Sequence, residues 1–130
     1  PIFGLYLKKI GSVSIVREKV DRDNLKFMEN IKKQTSSSFR PLVIFPQGTR
    51  VNIEDFVPFK KGVYRIYEEL KIKCVPVVMN SGDIWPKIGN LKKNKILTIS
   101  ILKPINELLD KDDFNKILED SMYQELEKII

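Results

Sequence analysis

At 130 residues, 42% hydrophobic and 31% charged, the chain has the size and balance of one globular domain and lacks the composition of a disordered polymer. With no histidine and a single cysteine, Cys74, these residues exclude a histidine base, a Ser-His-Asp or Cys-His arrangement, an internal disulfide and a multi-cysteine metal site. The net charge of +6 favours an anionic partner, whether a phosphorylated ligand, a membrane surface or a nucleic acid. One cysteine fits a reducing compartment. No apolar run reaches the roughly 18 residues a spanning helix needs, and no signal-peptide pattern opens the chain. It starts on Pro1 without an initiator methionine, so it is expected to be a piece of a longer protein.

Taken in order, residues 1–10 predict a short helix that Gly11 closes, with Lys8 and Lys9 in the last turn where the helix dipole favours cations. Residues 12–16 place Val13 and Ile15 in the alternation of a modest strand, with Arg17 at its carboxyl end. Arg17 either pairs with Glu18 or Asp21 on the surface or faces an anion. Asp21 or Asp23 can cap a helix running to about Lys33, with Leu25, Met28 and Ile31 on its inner face. Residues 35–38, one threonine and three serines, read as a polar loop.

Leu42, Val43, Ile44 and Phe45 then form an unbroken apolar run, expected to be a central strand covered on both faces. Pro46 cannot donate to a ladder and ends it. Gln47, Gly48, Thr49 and Arg50 follow at the strand's carboxyl end, where open α/β sheets hold ligands. Gly48 permits backbone angles or a close ligand approach that a Cβ would block, Thr49 brings a hydroxyl, and Arg50 brings a planar fork of donors suited to phosphate. The plainer alternative is a proline turn with Arg50 in a structural ion pair. Residues 51–59 lack periodicity and read as an irregular loop beside this site.

The clearest helical stripe is Val63, Ile66, Tyr67 and Leu70, a core face. Residues 75–79 predict a strand with Pro76 near its start, and residues 95–101 another that Pro104 stops. Between them, residues 80–94 form a turn-rich excursion carrying Trp85 and ending in lysines. This fits either a membrane interface or a partly buried loop tryptophan. From residue 112 to the end, Phe114, Ile117, Leu118, Met122, Leu126 and Ile129 mark an amphipathic helix. The fold class expected is α/β, with a mostly parallel or mixed central sheet covered by helices on both faces.

Phe45-Pro46-Gln47-Gly48-Thr49-Arg50 resembles the FPEGTR block of the glycerolipid acyltransferases, above all the lysophosphatidic acid acyltransferases. Residues 11–17, GSVSIVR, are similar to that family's G-x-I-F-I-D-R block, and residues 1–4 resemble the P-x-F-G stretch before it. Phe59-Lys60-Lys61-Gly62 and Val75-Pro76-Val77-Val78 look like the blocks that follow, so the likeness runs from residue 1 to about 105. It implies acyl transfer from acyl-CoA or acyl-acyl carrier protein to lysophosphatidic acid, at the cytoplasmic face of a membrane, the inner membrane in a bacterium. Arg17, Gln47, Gly48, Thr49 and Arg50 would hold the acceptor phosphate, and Pro76 would lie near the acyl or acceptor pocket.

The family's His-x4-Asp motif, its general base and orienting acid, would lie upstream, so no catalytic residue is expected in this chain. The whole of residues 1–130 would be a single domain lacking that part and inactive alone. The resemblance implies no metal and no cofactor beyond the acyl co-substrate. Gln47 departs from the family's Glu, and Val16 from its Asp. Two other readings stand beside this one: an inactive acyltransferase-like domain, or a basic module binding anions or nucleic acid. Nucleic acid is the weaker of these, since the chain has no RNP-like aromatic block, no GXXG loop and no zinc-ligand spacing.

Overall fold

Gly11 ends the first helix as its backbone freedom leads one to expect. In the computed structural model, which describes residues 2–13, 22–37 and 40–130, α1 spans Ile2–Lys9. Gly11 follows at φ +80°, and the Ser12 N–H donates to Leu7 O at 3.0 Å. A positive φ strains any residue with a Cβ, so glycine is the natural C-cap here. The predicted strand over residues 12–16 is not regular at residues 12 and 13, and Arg17 with residues 14–16 lies outside the described residues.

The second helix, α2, spans Arg22–Ser37 and buries Met28 and Ile31. Leu25, expected on the same inner face, is exposed instead. The helix also swallows most of the polar stretch predicted as a loop. Thr35 donates its hydroxyl to Ile31 O at 2.9 Å and Ser36 donates to Lys32 O at 2.7 Å. Side chains that could open a turn instead back-bond to the carbonyls one turn earlier, which satisfies them within the helix. These elements belong to a unit formed by Pro1–Val43; a second unit comprises Ile44–Ile130.

In the second unit α3 spans Gly62–Leu70 and ends at Lys71 in the left-handed region, whose N–H donates to Tyr67 O. The strand β1, Val77–Met79, pairs antiparallel with β2, Ile99–Ile101, in the register Val77↔Ile101, Val78↔Ser100, Met79↔Ile99. A single bridge, Cys74↔Ile105, extends the pairing outward. Both strands are shorter than the sequence suggests, and Pro76 lies just before β1 with its carbonyl accepting from Leu102 N–H at 3.0 Å. A proline carbonyl can join a ladder although its nitrogen cannot donate.

A short helix α4, Ser81–Ile84, follows β1. The last helix, α5, spans Lys111–Ile129, one residue from the predicted start. Asp110 Oδ1 caps it by accepting the N–H groups of Asp112 and Asp113, both at 2.9 Å. The core is the meeting of α3 and α5: Val63, Tyr67, Phe114 and Leu118, with Ile105 from the chain between. Phe114 is fully buried and stacks on Tyr67 with ring centroids 4.0 Å apart. Tyr67 also spends its hydroxyl, donating to Asn106 O and accepting from Leu109 N–H.

The protein is thus mixed α/β, and its sheet among the described residues is this two-stranded antiparallel ribbon. Residues 42–45 are irregular, with Val43 71% and Phe45 76% exposed. A strand apolar on both faces needs ladder partners at its edges and layers on its faces. No strand lies beside residues 42–45 among the described residues.

Candidate functional site

The apolar run leads into a tight turn in which Gly48 N–H donates to Phe45 O at 3.0 Å. Pro46 occupies the second position of this turn, where its fixed φ suits the backbone, and Gly48 follows at φ +70°. A Cβ on Gly48 would also come within 3.1 Å of Lys60 Cγ, so both the backbone angle and the close neighbour call for glycine. The Gly48 N–H therefore closes the turn. Its part in the site is to shape the chain so that Thr49 and Arg50, both exposed, follow directly.

A second segment lies against this turn. Lys60 N–H donates to Pro46 O at 2.9 Å, which brings residues 57–61 to the turn. The preceding stretch, irregular as expected, carries its own turn: Asp55 N–H donates to Asn52 O, and Asn52 Nδ2 donates to Asp55 Oδ2 at 2.9 Å. Between the two segments opens a groove of about 660 Å³. Gln47, Thr49, Lys60 and Lys61 give it polar and cationic groups, and Val51, Val57, Pro58 and Phe59 give it an apolar wall. Among the described residues no carboxylate lines it. A cationic end beside an apolar wall suits a ligand with an anionic head and an apolar body.

The wall is held from α5. Glu119 Oε1 accepts Phe59 N–H at 2.7 Å, and one turn on the Tyr123 hydroxyl donates to Val57 O. The Tyr123 ring packs on Phe56 and Phe59 at centroid distances of 4.9 and 5.2 Å. Burial raises the pKa of the Tyr123 hydroxyl above the ordinary tyrosine value, while a polar contact from the Gln47 side chain pulls it down.

Of the residues predicted from sequence, the groove brings together Gln47 and Thr49, with Gly48 forming the turn between them; Arg50, next along the chain, is exposed and not among the groove's lining residues. Pro76 is buried at the foot of β1 and is not among the groove's lining residues. Arg17 lies outside the described residues. Sequence reasoning did not assign Lys60 and Lys61 to the site, although the block Phe59 to Gly62 carried a family signal. Glu119 and Tyr123 carried none, being separated from the turn by some 70 residues of chain. No group of three or more metal-ligating side chains occurs among the described residues.

Comparison with known proteins points to the same family as the motifs. A 1-acyl-sn-glycerol-3-phosphate acyltransferase of Saccharomyces cerevisiae is 33% identical over 99% of this chain and 45% of its own length. One from Helicobacter pylori is 38% identical over 65% of the chain and 36% of its own, and one from Limnanthes alba is 24% identical over 91% and 52%. The chain thus spans about half, or less, of the length of these relatives. No solved structure matches. The acyltransferase family matches residues 1–80, which takes in the turn, the groove and the foot of β1, and the chain belongs to that family.

Proposed function

We propose that the intact protein transfers an acyl group from acyl-CoA or acyl-acyl carrier protein to lysophosphatidic acid, giving phosphatidic acid for phospholipid biosynthesis. The observation that carries this reading is the 46–61 groove, cationic at Lys60 and Lys61, acid-free and apolar along one wall, built from two of the family's blocks. The naming of relatives as 1-acyl-sn-glycerol-3-phosphate acyltransferases supports the substrate class.

In this reading the acceptor hydroxyl attacks the thioester carbonyl, an ester forms, and the thiol leaves with a proton. The chain's own residues bind and orient. Arg50, with Arg17, Lys60 and Lys61, neutralises the acceptor phosphate; Thr49 adds a hydroxyl; the Val57 to Phe59 wall meets the apolar part. Pro76 fixes the approach to β1 near the acceptor or acyl chain. These 130 residues hold no histidine, so the base that takes the hydroxyl proton comes from elsewhere in the intact protein, and residues 1–130 alone are inactive. In the intact protein residues 42–45 take a place in a central sheet covered on both faces, which would shield Val43 and Phe45 from water. The protein works at the cytoplasmic face of a membrane, where its acceptor resides, without a resident metal or cofactor.

The test is Arg50→Lys in the full-length protein, with Lys116→Arg on the exposed face of α5 as control. Loss of bidentate donors at unchanged charge is expected to raise the acceptor KM about tenfold, roughly 1.4 kcal/mol, with Tm unchanged. An unchanged acceptor KM removes Arg50 from the site. Absence of any acyl transfer to lysophosphatidic acid overturns the reading as a whole.

A further inference from the structure

We infer that α5 is a positioning element of the groove, with Tyr123 and Glu119 as positioning residues that act through the main chain of residues 57–60 on the Phe45 to Arg50 turn. The inference rests on the functional reading above and assigns residues outside the part of the chain the family matches, which ends at residue 80.

The connection is continuous. Glu119 and Tyr123 stand four residues apart, on one face of α5. Glu119 takes the Phe59 N–H at 2.7 Å, and Tyr123 gives its hydroxyl proton to Val57 O. The next residue, Lys60, donates its N–H to Pro46 O at 2.9 Å, and Gly48 N–H closes back on Phe45 O at 3.0 Å. Four hydrogen bonds therefore run from a helix anchored in the core by Phe114 and Leu118 to the turn that presents Thr49 and Arg50. The irregular 51–59 stretch has neither ladder nor helix to hold it, so contacts from α5 decide where its end sits. The Tyr123 ring, wedged against Phe56 and Phe59, fixes the same segment laterally.

Tyr123→Phe, Glu119→Gln and Glu119→Ala in the full-length protein test the inference, with Tyr64→Phe as control because the Tyr64 hydroxyl donates within α3, to Glu68. Two readouts are taken: KM for lysophosphatidic acid against KM for the acyl donor, and hydrogen exchange at the Lys60 and Gly48 amides. Tyr123→Phe and Glu119→Ala are expected to raise the acceptor KM three- to tenfold, with donor KM unchanged. They are also expected to speed exchange at Lys60 and Gly48 about tenfold while the Tyr67 and Leu118 amides stay protected. Glu119→Gln keeps an acceptor for Phe59 N–H and restores both. The inference is overturned if exchange at Lys60 and Gly48 stays at the wild-type rate, or if it rises only together with Tyr67 and Leu118. An acceptor KM that moves with Arg50→Lys but not with Tyr123→Phe or Glu119→Ala also sinks it and leaves the functional reading standing. If no transfer to lysophosphatidic acid is found, that reading falls, and the exchange rates decide the positioning role by themselves.

Discussion

Asn80 shows how much one buried side chain can organise. It is the buried polar residue of the second unit, and every donor and acceptor on its amide is used: Nδ2 donates to Ile96 O and to Ile129 O, both at 3.1 Å, and Oδ1 accepts Thr98 N–H at 2.8 Å. It thereby joins the two ends of the 81–97 excursion to each other and to the end of α5. Asn80→Ala leaves two carbonyls and one N–H without partners, and is expected to lower unfolding free energy by about 2 kcal/mol in urea denaturation. Asn80→Asp should cost more at neutral pH, because a carboxylate would face two carbonyl oxygens, and should recover part of the loss as acid protonates it. In the sequence, Asn80 reads only as a turn residue after a strand. Its role depends on Ile96 and Ile129, which chain order does not bring near it.

At the scale of elements, α4 and the loop after it are held by charge. Asp83 accepts from Lys92 Nζ at 2.7 Å and from Lys95 Nζ at 3.0 Å, and Lys92 N–H donates to Ile84 O at 2.8 Å. Bonds from Lys92 and then Lys95 hold the Asp83 carboxyl below its ordinary pKa. A lowered folded pKa means these pairs contribute fully above the unfolded aspartate value of about 3.9, and are lost as pH falls through the lower folded value. The chain's only tryptophan, Trp85, follows Asp83 by two residues and is 70% exposed, so the partly buried alternative does not hold. Its fluorescence is expected to stay constant from pH 7 to about 5 and to shift only below about 3.9. Asp83→Asn should show the acid spectrum at pH 7 while circular dichroism of the helices is unchanged. A midpoint near neutrality would refute the assignment.

For the molecule as a whole, the exposed surface of that excursion bears on where the protein works. Trp85, Ile88, Leu91 and Ile96 are exposed on one loop that also carries Lys87, Lys92, Lys93 and Lys95. No helix among the described residues is long and apolar enough to cross a membrane. We propose that this loop adds an interfacial contact with anionic lipid, its indole and aliphatic groups at headgroup depth and its lysines against phosphate. Sedimentation of the full-length protein with vesicles is expected to fall with rising salt. It should weaken several-fold for Trp85→Ser/Ile88→Ser on vesicles containing anionic lipid. Equal binding to neutral and anionic vesicles would remove the electrostatic part.

The sequence by itself determined the helices with strong periodicity and the turn with its glycine. The Val63, Ile66 and Tyr67 stripe is buried and the final helix begins within a residue of its predicted start, because 3.6-residue spacing and an aspartate cap act locally. Gly11 and Gly48 were legible for the same reason, since a positive φ is a property of one residue. The motif order of residues 1–78 was legible too, and it pointed to the family. Only the tertiary structure decided the rest. Whether residues 35–37 turn or stay helical depended on hydroxyls reaching carbonyls one turn back. Whether residues 42–45 form a strand depends on neighbours, because a strand's hydrogen bonds are made to other segments and not to itself. The groove's wall depends on Glu119 and Tyr123, whose only signal in the sequence was a place on an amphipathic helix; their hydrogen bonds to residues 57 and 59 require α5 to be held in place by its packing against α3.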